Sequence, residues 1–166
     1  VDLNAALAAT DEPQRAMKRL HAPCLKLSVK NDLSEISRLA EEIDAFCAKV
    51  GIGEDAAYAV NLALDELLTN TISYGFKDQA AHAIDVALSL EADVLVITIR
   101  DDGVAFDPSI PPTPDVHAEI EDRDIGGLGV HFVHTVMDEI DYHRRDGHNE
   151  LTLKKNVAAS ARDTGQ

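Results

Sequence analysis

Between Cys24 and Lys154 the apolar residues change period several times, and each change marks a new element. Cys24 to Val29 reads CLKLSV, apolar alternating with polar or basic residues, which predicts a strand with one covered face. Ile36, Leu39, Ala40, Ile43 and Phe46 or Cys47 then recur at helical spacing. They predict a helix capped by Asn31 or Asp32, running to about Val50 and ended by Gly51 and Gly53. A second helix is expected from about Glu54 to Tyr74, stopping at Gly75, because Val60, Leu64, Leu67, Leu68 and Thr71 form one stripe. Two strands follow, near Ala83 to Leu90 and Val94 to Arg100, and Glu91, Ala92 and Asp93 make them a hairpin. From Gly103 to Gly129 prolines, glycines and acidic residues break every period, so a long loop is expected there. Val130 to Met137 is helical again. Glu139 to Arg144 and Glu150 to Lys154 form a last hairpin turning around Asp146, Gly147, His148 and Asn149.

This order places helices and antiparallel strands in two layers, an α/β sandwich. A doubly wound parallel fold is disfavoured, because turns this short cannot hold a crossover helix. The 166 residues suit one domain over 23–157, with an N-terminal extension over 1–22 and a C-terminal tail over 158–166. No apolar run approaches the roughly 20 residues of a membrane span, and Val1 to Thr10 lack the features of a secretory signal. A cytoplasmic location is expected. Cys24 and Cys47 have no metal or redox spacing and read as small buried hydrophobic residues. A formal net charge of −15 argues against direct nucleic-acid or anionic-membrane binding, which needs clustered Lys and Arg.

Three segments carry candidate chemistry. At 100° per residue Ala59, Ala63, Glu66 and Asn70 fall in one sector of the second helix, beside its apolar stripe. A carboxylate and an amide then stand one turn apart over a row of alanines, which leaves either a ligand groove or an ordinary solvent-facing edge. Asp101 ends a strongly apolar strand, where it can accept a hydrogen bond from an exocyclic amine or close an Asx-type turn, and Gly103 lets a flat base approach the backbone. Gly126-Gly-Leu-Gly129 precedes the last helix and can aim free amides at phosphates, or can be a flexible loop end. No GxxxxGK[ST] occurs, nor GxSxG. His131 and His134 share a helix face and His143 and His148 flank the last hairpin, without the further ligands of a zinc pattern.

Taken together, LALDELLTNTISYGF, RDDGVAFDP, GGLGVHFVHTVMDEIDY and GHNELTLKK resemble, in order and separation, the N, G1 and G2 boxes of the gyrase and histidine-kinase (GHKL) ATPase superfamily, and within it the anti-sigma serine/threonine kinases. The resemblance covers about Asp32 to Lys155. It implies the Bergerat ATP-binding fold, an α+β two-layer sandwich with a mixed, mainly antiparallel sheet. It implies ATP and Mg²⁺ as cofactors, with Asn70 as the Mg²⁺ ligand through its amide oxygen, Glu66 as the catalytic base and Asp101 as the partner of the adenine amino group. Gly103 would support the adenine pocket, and Gly127, Leu128 and Gly129 would lie against the triphosphate under a mobile lid. The implied partners are a sigma factor and a STAS-type anti-sigma antagonist, and a homodimer is compatible with it. Ala105 stands where the G1 box commonly has Gly, and Gly126 where a basic residue often precedes GLG, a role for which Arg123 of the lid is a candidate. The alternative function is a nucleotide-dependent protein-binding adaptor without phosphotransfer. A histidine-kinase catalytic domain ranks below both, since no helix bearing a phosphoacceptor His is recognisable.

Overall fold

A computed structural model describes residues 22–111 and 125–158, with 125–128 as helix backbone only. Most of the expected extension and tail, and residues 112–124 of the long loop with Arg123, lie outside the described residues. The elements are β1 (Cys24–Lys30), α1 (Glu35–Val50), α2 (Glu54–Tyr74), β2 (Ala83–Glu91), β3 (Val94–Asp101), α3 (Ile125–Val136), β4 (Glu139–Arg145) and β5 (His148–Asn156). The sheet order is β1-β2-β3-β5-β4.

The expected α+β sandwich with a mainly antiparallel sheet is present, and all four ladders are antiparallel. The mixed character is not found among the described residues, for a topological reason. β4 runs parallel to β3, but the hairpin return inserts β5 between them, so the two never pair. Register aligns Val29, Ile84, Val86, Leu88, Leu95, Ile97, Ile99, Leu151 and Leu153 on one buried face. The helices cover that face: Leu39, Ile43, Phe46 and Cys47 of α1 and Val60, Leu64, Leu67 and Leu68 of α2 join the same core. The other face is polar. It is crossed by Ser28 to Asp85 (2.7 Å), Arg100 to Glu150 (3.6 Å) and Lys154 to Glu139 (2.5 Å), exposed contacts that favour solubility more than stability.

Local chemistry explains where the elements differ from expectation. α1 starts at Glu35 because Asp32 turns its carboxylate to the backbone N–H (2.9 Å) and hydroxyl (2.8 Å) of Ser34, an Asx turn, and Ser34 occupies the cap position. Asn31 instead bonds Ala80 O and His82 N, pinning the segment before β2. Asp146 and Gly147, at φ 51° and 79°, make the two-residue turn of the last hairpin, so His148 and Asn149 belong to β5. α3 begins at Ile125, which puts Gly126 to Gly129 inside its first turns instead of ahead of them. Cys47 is buried as expected, whereas Cys24 is exposed at the start of edge strand β1.

Candidate nucleotide site

α2 supplies one wall. Its stripe of Ala57, Val60, Ala63, Leu64, Leu67 and Leu68 is buried, which fixes the helix rotation and sets Glu66 and Asn70 half-buried on one flank, one turn apart. Neither side chain has a hydrogen bond or ion pair among the described residues. The groove expected along the alanine row does not extend to Ala63, which is fully buried in the core. Small side chains let another helix approach, and α3 packs along α2. Gly129 lies close against Glu66. A Cβ there would overlap Glu66 Oε2, so this position has room for no side chain while the carboxylate keeps its place. Gly129 thus packs against the Glu66 carboxylate, while Gly127 and Leu128 lie in the first turn of α3, whose N–H groups have no intrahelical acceptor.

The end of β3 supplies the other wall. Asp101 is 6% exposed and stands directly across the ladder from Asn149, itself 7% exposed, on the same face as the core. Asp101 Oδ1 accepts two hydrogen bonds, from Asn149 Nδ2 (2.8 Å) and from the backbone N–H of Gly103 (2.8 Å). Oδ1 thus closes the Asx turn, and Oδ2 has no hydrogen bond among the described residues. Since no buried side-chain oxygen among the described residues lacks a partner, Oδ2 must reach solvent. Gly103 is a glycine for a packing reason: a Cβ would lie 2.8 Å from both Asp101 Oδ1 and the carbonyl oxygen of Gly75. The next residue, Val104, donates its N–H to that carbonyl (2.7 Å).

These contacts arrange the residues along α2. Glu66 meets Gly129, Asn70 follows one turn later, and Gly75 meets the Gly103 turn beside Asp101. Nine helical steps separate the two ends, about 13 Å at 1.5 Å per residue. Sequence reasoning missed Asn149, Tyr142, Arg144 and Gly75 as parts of this site. The signal for Asn149 is the alternation Asn149, Leu151, Leu153, which points an amide inward where its neighbours are leucines.

Beside Asp101, Asp102 faces a second polar cluster. His82 directs Nδ1 to Asp102 (3.0 Å) and Nε2 to Asp78 (2.8 Å), and its ring stacks on Phe76 at 4.4 Å. With a carboxylate at each nitrogen the imidazolium is favoured: the bond to Asp78, then that to Asp102, raises the His82 pKa above its ordinary value, and Asp78 is lowered chiefly by the same bond. His134 donates from Nε2 to Pro108 O (2.9 Å), tying α3 to the start of the long loop, and no group of residues that could hold a metal through His, Cys, Asp and Glu alone occurs among the described residues. A groove of about 360 Å³ between α1 and α2, lined by Cys47, Ile52 and Tyr58 among others, shares no residue with the Glu66 to Asp101 site.

Comparison with known proteins gives a consistent result. Residues 29–155 match the profile of the histidine kinase-like ATPase domain. The chain is 32% identical over 101 residues to the serine/threonine-protein kinase BtrW of Bordetella bronchiseptica, covering 61% of this chain and 71% of that one. It is 27% identical over 135 residues to the serine-protein kinase RsbW of Listeria monocytogenes, covering 78% and 84%. Among solved structures, the RsbU and RsbW domains of Rv1364c from Mycobacterium tuberculosis share the fold, with a TM-score of 0.60 at 14% identity over 81% of this chain, which spans 32% of that longer one. A blue-light activated histidine kinase from Erythrobacter litoralis shares it at 0.52 and 16% identity, over 76% of this chain and 42% of that one.

Proposed function

From the premise that the chain belongs to the histidine kinase-like ATPase family and is an ATP-dependent protein kinase domain of the RsbW and BtrW kind, we propose how its residues divide the work. ATP lies along α2, with adenine at Asp101 and the triphosphate toward Glu66 and the first turn of α3. Asp101 Oδ2 accepts from the adenine amino group, Gly103 leaves room for the ring, and the amides around Gly127, Leu128 and Gly129 face the phosphates. Hard oxygen donors suit Mg²⁺, and Asn70 offers an amide oxygen with no partner among the described residues, so Asn70 would hold the ion, which supplies charge neutralisation at the phosphates. Glu66 accepts the proton of the attacking hydroxyl.

The observation that carries this reading is that Glu66 and Asn70, without a hydrogen bond among the described residues, stand one turn apart on α2, and that the turn beside Asp101 joins the end of the same helix at Gly75. The phosphoacceptor is a serine or threonine of a STAS-type anti-sigma antagonist, and the same domain alternately sequesters a sigma factor, in a bacterial cytoplasm and with a homodimer as the working assembly. No helix among the described residues is long and apolar enough to cross a membrane. Incubation with γ-labelled ATP, Mg²⁺ and the antagonist encoded nearby tests the assignment: labelled antagonist is expected. Nucleotide binding without any label on the antagonist would instead establish the adaptor reading, which the glycine at 126 in place of a base favours.

A further inference from the structure

Asn149 uses its whole hydrogen-bonding capacity, and all of it goes to one task. Its two N–H bonds go to Asp101 Oδ1 (2.8 Å) and Val104 O (2.9 Å), on the two sides of the Gly103 turn. Its carbonyl oxygen accepts from Tyr142 Oη (2.8 Å) and Arg144 Nη1 (2.6 Å). The same Arg144 nitrogen also donates to Gly103 O (3.0 Å). This pattern fixes the orientation of the amide, since a flipped amide would set its oxygen against a carboxylate and a carbonyl and its NH₂ against a guanidinium. Arg144, Asn149 and Asp101 stand in register across β4, β5 and β3, so sheet pairing itself holds the row together.

We propose that Asn149, braced by Tyr142 and Arg144, is a positioning residue that makes the site selective for a 6-aminopurine. The inference rests on the nucleotide reading above and adds the residues that set its base preference. An aspartate can rotate about χ2 and exchange its oxygens. With Oδ1 held by Asn149 and Gly103 N–H, that rotation is blocked, and Oδ2 is the one oxygen left to face a ligand. An ionised carboxylate so fixed accepts from an exocyclic amine and repels the carbonyl that hypoxanthine or guanine carries at the same ring position. Without the clamp the carboxylate turns freely, the amine meets a disordered acceptor, and the penalty against the carbonyl falls as the oxygens swing away.

Equilibrium binding of ATP and of inosine 5′-triphosphate to the full chain, in Mg²⁺, tests this. Wild type should prefer ATP by about tenfold or more, the scale of one hydrogen bond to a charged group. Asn149→Leu, close in volume, should bring the two affinities within about threefold by weakening ATP while leaving inosine 5′-triphosphate equally or more tightly bound. Asn149→Thr, which keeps a donor for Asp101, should recover most of the preference. Arg144→Met changes an exposed residue and should reduce the preference in part, so it decides the matter if Asn149→Leu does not fold. A wild-type ratio in either folded variant, or an equal loss for both nucleotides in Asn149→Leu, would overturn the clamp. Wild type binding both nucleotides equally would overturn base recognition by Asp101 as well, and wild type binding neither would overturn the nucleotide reading itself.

Discussion

The two ends of the site are built on opposite plans. At the Asp101 end the polar groups are already held, with Asp101 Oδ2 alone left over: Asn149 is saturated, Asp101 Oδ1 has two donors, and the Gly103 turn is held to Gly75 and Arg144. At the Glu66 end the carboxylate and the Asn70 amide make no bond among the described residues, and the neighbouring element is a helix with glycines in its first turns. The first plan suits recognition, where a preformed pocket avoids the cost of ordering side chains on binding. The second suits chemistry. Its groups must exchange partners as ion, phosphate and hydroxyl arrive, and bonds made beforehand would have to be broken. Affinity should thus respond to changes at the first end, turnover to changes at the second.

Glu66→Gln is the hardest test of that division. It preserves shape and removes the base, so phosphoryl transfer should fall by about 10²–10⁴-fold while ATP affinity holds, read by single-turnover labelling beside calorimetry. A wild-type transfer rate would reassign the base. Gly129→Ala comes next, because the added methyl must displace the Glu66 carboxylate or push α3 away from α2. Displacement on the order of 1 Å costs about a hundredfold in rate, and ATP affinity measured in parallel should change little. If affinity falls instead and transfer per bound ATP is unchanged, the glycine serves the phosphates more than Glu66. Asp101→Ala should show the converse, a loss of about 1–3 kcal/mol in ATP affinity with turnover at saturation largely retained.

The smallest expected effect is a pH dependence at the outer side of the Asp101 end. Because the His82 pKa is raised in the folded state, its contribution is fully present below the ordinary value of 6.5 and is lost as pH rises through the folded value. Asp78, lowered from 3.8, contributes above that value and loses its contribution as pH falls. The cluster is thus strongest on the mildly acidic side of neutrality. Thermal melts of wild type and His82→Gln should differ most at about pH 5–6 and converge by about pH 9, a constant gap counting against the imidazolium.

What was legible in the sequence tracks how local its cause is. α2 came out at its observed bounds because one helix carries both its apolar stripe and its stop at Gly75. Glu66, Asn70 and Asp101 were visible as chemistry at element faces and ends. Asn149 was not, because Asp-Gly-His-Asn reads as turn formers and its partner Asp101 is 48 positions away, a pairing that only register reveals. The glycines of α3 misled for a similar reason. Glycine weakens a helix by its own propensity, but packing of α3 on α2 overrides that preference where a side chain would collide with Glu66.

The bond from Val104 to the Gly75 carbonyl has a consequence for which length changes the chain can absorb. It anchors the last turn of α2 to the start of the segment after β3, so the helix between Asn70 and Gly75 has no slack. One residue inserted there would turn Glu66 and Asn70 by about 100° relative to the Gly103 turn and carry them along the axis by about 1.5 Å, which misplaces both while leaving the composition almost untouched. A single-residue indel six positions after Glu66 should therefore abolish phosphoryl transfer.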